Sequence, residues 1–496
     1  IPPSDADSLD YHLGAPIEIL KNNRFLPRYD WLHYQLIGIG DFFNLFSLSL
    51  YSLNLPQLNN FFVLILLSLI FLNYCNTNNF NNVKFFILFI FSTPLILWLI
   101  TSSKPQFFQT FLIFLSTYLV ANNQINKKTI FVIIAFLAYA VVSKISFLIV
   151  AFYVYLLLFY ISFKRKFFLS FVISSITILI LLVLPFYLVN FIYYGDPLPP
   201  MFESFKSSPS EVKLMMQESI KTDTATFFTR ESYSFWATPF LISIPVSLTN
   251  FTVYVGPTYF FGFMISIYIL FISAKLRKVN FFDLVLIGLI ISEYLFLVTL
   301  PNLQPRYFLA GYFVSFLLVA KYLSNYYLRS LYIILNSTIM IMVIGAAILS
   351  IYLYFPANFS KERLDKYYSF TAQNYDEIKW IEKKIGNDNL QIDNNIVLSQ
   401  STRSHALINY NFVSRQSFFS KLDSKSMFDF LEENNIDYLV FEYPLSQNYY
   451  QEILERCASK TFGIQRNKFK HAKRNPINSK NRRQYEILLI KNECKS

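Results

Sequence analysis

Over its first 356 positions the chain runs in long apolar stretches separated by short polar breaks, and then its character changes. Runs of roughly 17–25 apolar residues match the helix length that crosses a bilayer core. They predict helices at about 58–74, 84–100, 106–121, 129–143, 145–162, 167–192, 258–274, 281–300, 305–323 and 331–354. A further apolar stretch at 36–54 carries Asp41, Asn44 and several serines. It reads either as a span or as a helix lying in the interface. From about 357 onward the pattern is that of a soluble domain. In "NYDEIKWIEKKIG", Ile378, Ile381 and Ile385 fall on one helical face. "NNIVLSQ" reads as a strand, "SKSMFDFLEENNIDYLVFEYP" as helix, turn and strand, and "QYEILLIK" as a final strand. The expected fold class is mainly α: a polytopic transmembrane helix bundle of about 10–12 helices over 1–356, then an extramembrane α/β domain over 357–496.

Composition sharpens this. The chain is 54% hydrophobic and only 15% charged, against about 25% charged in soluble domains. That is too little charge to coat a soluble surface. The net charge of +12 then reports topology and contact with anionic lipid, not nucleic acid, and no nucleic-acid motif is present. Three cysteines (Cys75, Cys457, Cys494) give no framework and no CxxC, and four histidines show no metal-ligand spacing.

Short basic connections mark the cytoplasmic side of a membrane protein. "NNQINKK" (122–128), "FKRK" (163–166), "KLRK" (275–278) and "KYLSNYYLR" (321–329) are the basic ones. Alternating from them places 101–105, the loop after 193, the turn at 300–305 and the tail after 356 outside. The opening residues join them if 36–54 is interfacial, giving outer loops at 1–57 and 193–257. If 36–54 spans, the opening acids fall inside. The basic stretch Arg466–Arg483 reads as a solvated loop between strands, or more sharply as a patch for anionic head groups or phosphorylated glycans.

Candidate chemistry begins in "SDADSLDYHLGAP", Ser4–Pro16. Ser4 and Asp7 fit a capping-box-like pattern, which accounts for the early acids but not for Asp10, Tyr11 and His12. If the segment is helical, Asp7, Asp10 and Tyr11 share one face. A carboxylate there could take a proton from an attacking hydroxyl, and two acids together could hold a divalent cation. Lys144 lies between two apolar helices, a costly place for a cation. Arg306 and Tyr307 begin a late helix, where an arginine suits phosphate. Glu293 lies inside the preceding helix, as a pocket residue or a partner for Arg306. "NFIYYGDPLPPMFESF" (190–205) forces a turn-rich path, and "SPSEVKLMMQESIK" after it reads as a short amphipathic helix.

Taken in order, these features resemble the GT-C superfamily of integral membrane glycosyltransferases, near the branch of dolichyl-phosphate-mannose and aminoarabinose transferases. "ADSLDYHLGAP" is similar to the family's acidic first outer loop, with the family acid at Asp7. Ser143-Lys144 resembles its "tK" element, Gly195-Asp196-Pro197 its "GNP" loop, Arg306-Tyr307 its late "RY", and Asp437–Val440 the "DYLV" strand of its outer domain. The resemblance implies transfer of a sugar from a polyprenyl-phosphate donor to a lipid or glycan acceptor, on the periplasmic side of a bacterial inner membrane. It implies Asp7 as base with Asp5 or Asp10 in support. It further implies Lys144 and Arg306 on the lipid phosphate; Tyr11, His12, Tyr307 and Glu293 are the further candidates for binding substrate. Two departures stand out. The family's first helix would lie upstream of Ile1, and the second outer loop reads "TSSKPQ" (101–106) where many members carry another acid. No metal site is therefore assigned. The competing class is a polysaccharide polymerase, ligase or flippase-like membrane protein. A secondary transporter would show inverted repeats, which the sequence lacks, and a non-enzymatic membrane protein is the further alternative.

Overall fold

The computed structural model describes residues 2–3, 5–28, 30–50, 52–77, 83–199, 201–202, 238–243, 254–276, 280–299, 306, 309–323, 326–388, 396–399, 404–414, 428–429, 431–432, 435–443, 448–470 and 484–494. The chain is mainly helical with a small C-terminal sheet. Short helices come first, among them α1 (Gly14–Asn22) and α2 (Phe42–Ser49). The apolar series follows: α3 (Leu55–Thr77), α4 (Val83–Phe91), α5 (Pro94–Ile100), α6 (Gln106–Ala121), α7 (Lys127–Ser143), α8 (Leu148–Lys164) and α9 (Phe168–Tyr194). It continues with α10 (Pro257–Leu276), α11 (Phe281–Thr299), α12 (Leu309–Tyr322) and α13 (Tyr326–Tyr354).

Four helical stretches among the described residues are long and apolar enough to cross a membrane: 55–77, 145–164, 168–194 and 327–352. Their outward faces are greasy. Phe152, Leu169, Leu181 and Ile341 are all more than half exposed, while Val63, Leu67, Phe71, Val154 and Leu158 face inward. Rows of apolar side chains pointing outward suit a hydrocarbon solvent and would be an aggregation hazard in water.

One expectation changes and one open choice narrows. The run at 84–100 is not one helix but two, α4 and α5. Pro94 lacks an N–H and favours an extended residue before it, and Thr93 takes φ −112° and ψ 92°. The stretch 36–54 yields only the eight-residue α2, a rise of about 12 Å, well short of a bilayer core. Its Phe42, Phe46 and Leu50 point outward while Asn44 and Ser47 are buried. Of the two readings, the interfacial one fits this helix.

The C-terminal part holds α14 (Lys361–Thr371), α15 (Tyr375–Asp388), α16 (Asn448–Cys457) and strands β1 (Ile396–Ser399), β2 (Asn411–Ser414), β3 (Tyr438–Tyr443), β4 (Gln465–Lys470) and β5 (Gln484–Lys491). The sheet order is β2-β1-β3-β5-β4, with β2, β1 and β3 parallel and β5 antiparallel to both neighbours. Alternation along the strands builds two cores. Val397, Val440, Ile487 and Leu489 pack on Ile378, Ile381 and Ile385 of α15. Leu398, Leu439, Leu488 and Ile490 pack on Ile453 and Leu454 of α16. The first of these cores also takes in Ala15, Trp31, Tyr34 and Ile37, so the boundary expected at 357 is crossed by side chains from the opening segment. Cys457 and Cys494 form a disulfide, correcting the reading that the cysteines build no framework. Within the basic stretch, 466–470 forms part of the edge strand β4, and 471–483 lies outside the described residues.

Polar breaks gather at the two ends of the helices. At one end Arg165 donates to the carbonyls of Asn123 and Ile125, and Lys321 pairs with Asp283 at 2.8 Å. At the other end meet the opening residues, the 101–105 turn, Arg306 and the C-terminal sheet.

Candidate functional site

The opening acids are placed by a helical turn that runs into a π-helical segment, Ser8–His12. Asp5 caps it: its Oδ1 accepts from the Ser8 N–H at 3.1 Å. The expected cap, Ser4, lies outside the described residues. Ser8 Oγ in turn accepts from the Ser103 N–H at 3.1 Å, pinning the segment to the turn before α6.

That turn delivers a residue that the motif reading passed over. Lys104 is buried, with its ammonium 2.6 Å from Asp7 Oδ2 and 3.3 Å from Asp5 Oδ1, and 4.4 Å from the centre of the Trp98 ring. Arg306 reaches the same Asp7 oxygen from 299 positions away, with its Nη1 at 2.9 Å. Two carboxylates and two cations thus balance in charge, with both cations drawn onto one oxygen. Burial opposes ionisation of Asp7, but Lys104 and then Arg306 outweigh it and hold the carboxyl well below the ordinary 3.8. Asp7 keeps 26% of its side chain exposed. A cleft lined by Gly40, Asn44, Asn60, Ser103, Lys104 and Tyr139 opens beside the cluster, with room for about one water molecule.

Asp10 does not join Asp7. It is buried and faces the C-terminal domain, where its Oδ1 accepts from Trp31 Nε1 at 2.9 Å and lies 2.7 Å from His405 Nδ1. Its Oδ2 lies 2.8 Å from His33 Nδ1. The shared face expected for Asp7, Asp10 and Tyr11 is therefore divided between two clusters. Asp10, expected to support Asp7, sits instead at a contact between the opening segment and the sheet domain. Tyr11 lies over His12 and stacks with His33, its ring centre 4.0 Å and 5.6 Å from theirs. His12 Nδ1 pairs with Asp41 Oδ1 at 2.6 Å, while Asp41 Oδ2 accepts from the Gly38 N–H. A Cβ on Gly38 would fall 2.0 Å from the Ser143 carbonyl oxygen, so only glycine lets this loop press against the turn that carries Lys144.

Lys144 sits half-buried in that turn, between α7 and a short 3-10 helix, at the same end of the helices as Asp7. The cations on Asp7 are Lys104 and Arg306, so the place expected for Lys144 beside Arg306 is taken by Lys104. Glu293, expected as a pocket residue or a partner for Arg306, is buried and accepts from the Gly311 N–H at 2.6 Å. Tyr307 and the stretch 208–221 lie outside the described residues. The Gly195-Asp196-Pro197 element is a helix stop. Gly195 takes the left-handed conformation, and the buried Asp196 accepts from the N–H groups of Leu198 and Phe202.

Asp7 and Asp10, the two acids expected to share a cation, lie in separate clusters, and Asp5 and Asp7 are both paired with the Lys104 ammonium. No group of three or more His, Cys, Asp or Glu among the described residues is arranged to hold a metal ion. Compared with known proteins, residues 1–196 match the DUF1420 N-terminal domain. The match takes in Asp5, Asp7 and Lys104 and stops before Arg306. No curated protein matches the chain.

Proposed function

We propose that this chain is a polytopic membrane glycosyltransferase that moves a sugar from a polyprenyl-phosphate donor to a lipid or glycan acceptor on the outer face of the membrane. The observation that carries the reading is the meeting of Asp7 with Lys104 and Arg306 at one end of the apolar helices. An acid beside two cations, at the level where a membrane-borne phosphate would lie, matches what transfer from a lipid phosphate needs. In the reaction the acceptor oxygen bonds to the sugar's anomeric carbon. The bond from that carbon to the phosphate oxygen breaks, its electron pair staying on the phosphate. The acceptor proton passes to Asp7. Arg306 and Lys104 stabilise the phosphate as its charge grows, which lowers the barrier only if they meet the leaving group more closely than the donor.

Sidedness is supported from two directions. Short basic connections gather at the end opposite Asp7, and the domain beside Asp7 carries a disulfide, which persists in oxidising compartments. The test is sugar transfer by the purified chain in lipid, from a polyprenyl-phosphate sugar. Asp7→Asn is expected to lower the rate by at least about 100-fold at unchanged expression. An intact rate would remove Asp7 from the chemistry.

A further inference from the structure

Both cations of the site are already occupied. Lys104 and Arg306 converge on a single oxygen of Asp7, at 2.6 and 2.9 Å, and Lys104 is 98% buried, held also by Asp5 and the face of Trp98. Asp7 in this state is a poor base, because two hydrogen-bonded cations stabilise its charged form. The same two cations are the groups with which the site would meet a phosphate. One pair of cations cannot hold both anions at full strength.

We infer that Asp7 is a resident anion in a phosphate site: it latches Lys104 and Arg306 until a lipid-borne phosphate draws them away, and only then becomes basic enough to accept a proton. The inference rests on the phosphate-transfer reading above and adds a regulation to it. The donor phosphate carries one charge as a diester, and the leaving phosphate gains a second as its bond to the sugar breaks. The pull on the two cations is therefore strongest when the acceptor's proton is in transit. Asp7 gains basicity as the leaving group gains charge. Without a donor the carboxylate stays latched, so a water or a stray hydroxyl finds no competent base. The shared chemistry is a phosphate group, and its hydrocarbon-borne form is the one assigned here, because the cluster lies at the end of apolar helices.

The test is binding of dodecyl phosphate, with inorganic phosphate in parallel, to the purified full chain in detergent. If Asp7 competes for the cations, Asp7→Asn binds dodecyl phosphate about tenfold more tightly than the natural chain. Asp7→Ala does the same, which guards against a fold defect peculiar to one variant, and Arg306→Gln loses the binding. If binding depends on Arg306 yet is unchanged or weakened in both Asp7 variants, the latch is wrong while the phosphate reading stands. If no variant binds in an Arg306-dependent way, both fall. If inorganic phosphate tightens and dodecyl phosphate does not, the lipid-borne assignment is overturned.

Discussion

Single residues in this chain are read by their neighbours. Glu377 on α15 is buried and receives hydrogen bonds from Asn374 and Tyr485, yet burial pushes its carboxyl up to about 7 from an ordinary 4.5. As pH rises from 4.5 towards 7, the unfolded chain releases this proton while the folded chain holds it, so stability falls across that window. Glu377→Gln should flatten the slope and stabilise the domain by roughly 1–3 kcal/mol above pH 7, read by thermal unfolding through Trp380 fluorescence. The opening acids make the same point. In sequence Asp5, Asp7 and Asp10 look alike, and a helical wheel puts Asp7 beside Asp10. The π-helical segment sends Asp7, with Asp5, to Lys104 and Arg306, and Asp10 to Trp31, His33 and His405. Asp7 and Arg306 were legible, because charged groups are scarce in so apolar a chain. Lys104 carries no such signal in sequence beyond being a lysine beside an apolar run, in a loop, "TSSKPQ", that holds no acid.

Elements were the most legible scale. Among the described residues each of the ten apolar runs holds helix, and the strands at 396–399, 438–443 and 484–491 lie where alternation put them. The error fell where a local rule overrode hydropathy. Pro94 divided one run into α4 and α5; the stretch 36–54, open in sequence between spanning and interfacial, gave an α2 too short to span. α15 shows the pattern at its clearest, with Ile378, Ile381 and Ile385 fully buried against the sheet. Ile381→Ala should cost about 2–4 kcal/mol, the usual range for a cavity in a packed core. The loss would appear as a lower unfolding midpoint of the sheet domain, with the helical far-ultraviolet signal retained. A midpoint unchanged within error would mean that α15 does not seal this core.

For the whole molecule, the central fact is that distant parts of the chain meet at one end of the helices. Hydropathy cannot show this, because the meeting depends on partners hundreds of positions apart, such as Asp10 and His405. That contact also predicts a pH response. Burial opposes ionisation of Asp10, yet His33 and His405 hold it below the ordinary 3.8. Burial also lowers His405 below the ordinary 6.5, against the pull of Asp10, with Arg28 and His33 adding to the lowering. An acid with a depressed value stabilises the fold above 3.8 and loses that effect as pH falls through its folded value. A histidine with a depressed value destabilises the fold as pH falls below 6.5, since only the unfolded chain takes up the proton. Both signs agree: acid loosens the opening segment from the sheet domain. Hydrogen-exchange protection of residues 8–22 should hold above pH 7 and decline below about 6.5. Asp10→Asn should lower it at neutral pH, leaving two histidines without their carboxylate.

The Cys457–Cys494 pair has one more consequence. It joins the end of α16 to the residues after β5, so its oxidation state records the compartment in which the last strand of the sheet was completed. Once denatured, chains that have delivered this domain to an oxidising compartment take up maleimide at Cys75 alone until reduced, whereas chains that leave it in a reducing one take it up at Cys457 and Cys494 as well. The protein thus carries its own topology reporter. A gel shift on untagged material can say which side of the membrane Asp7 faces.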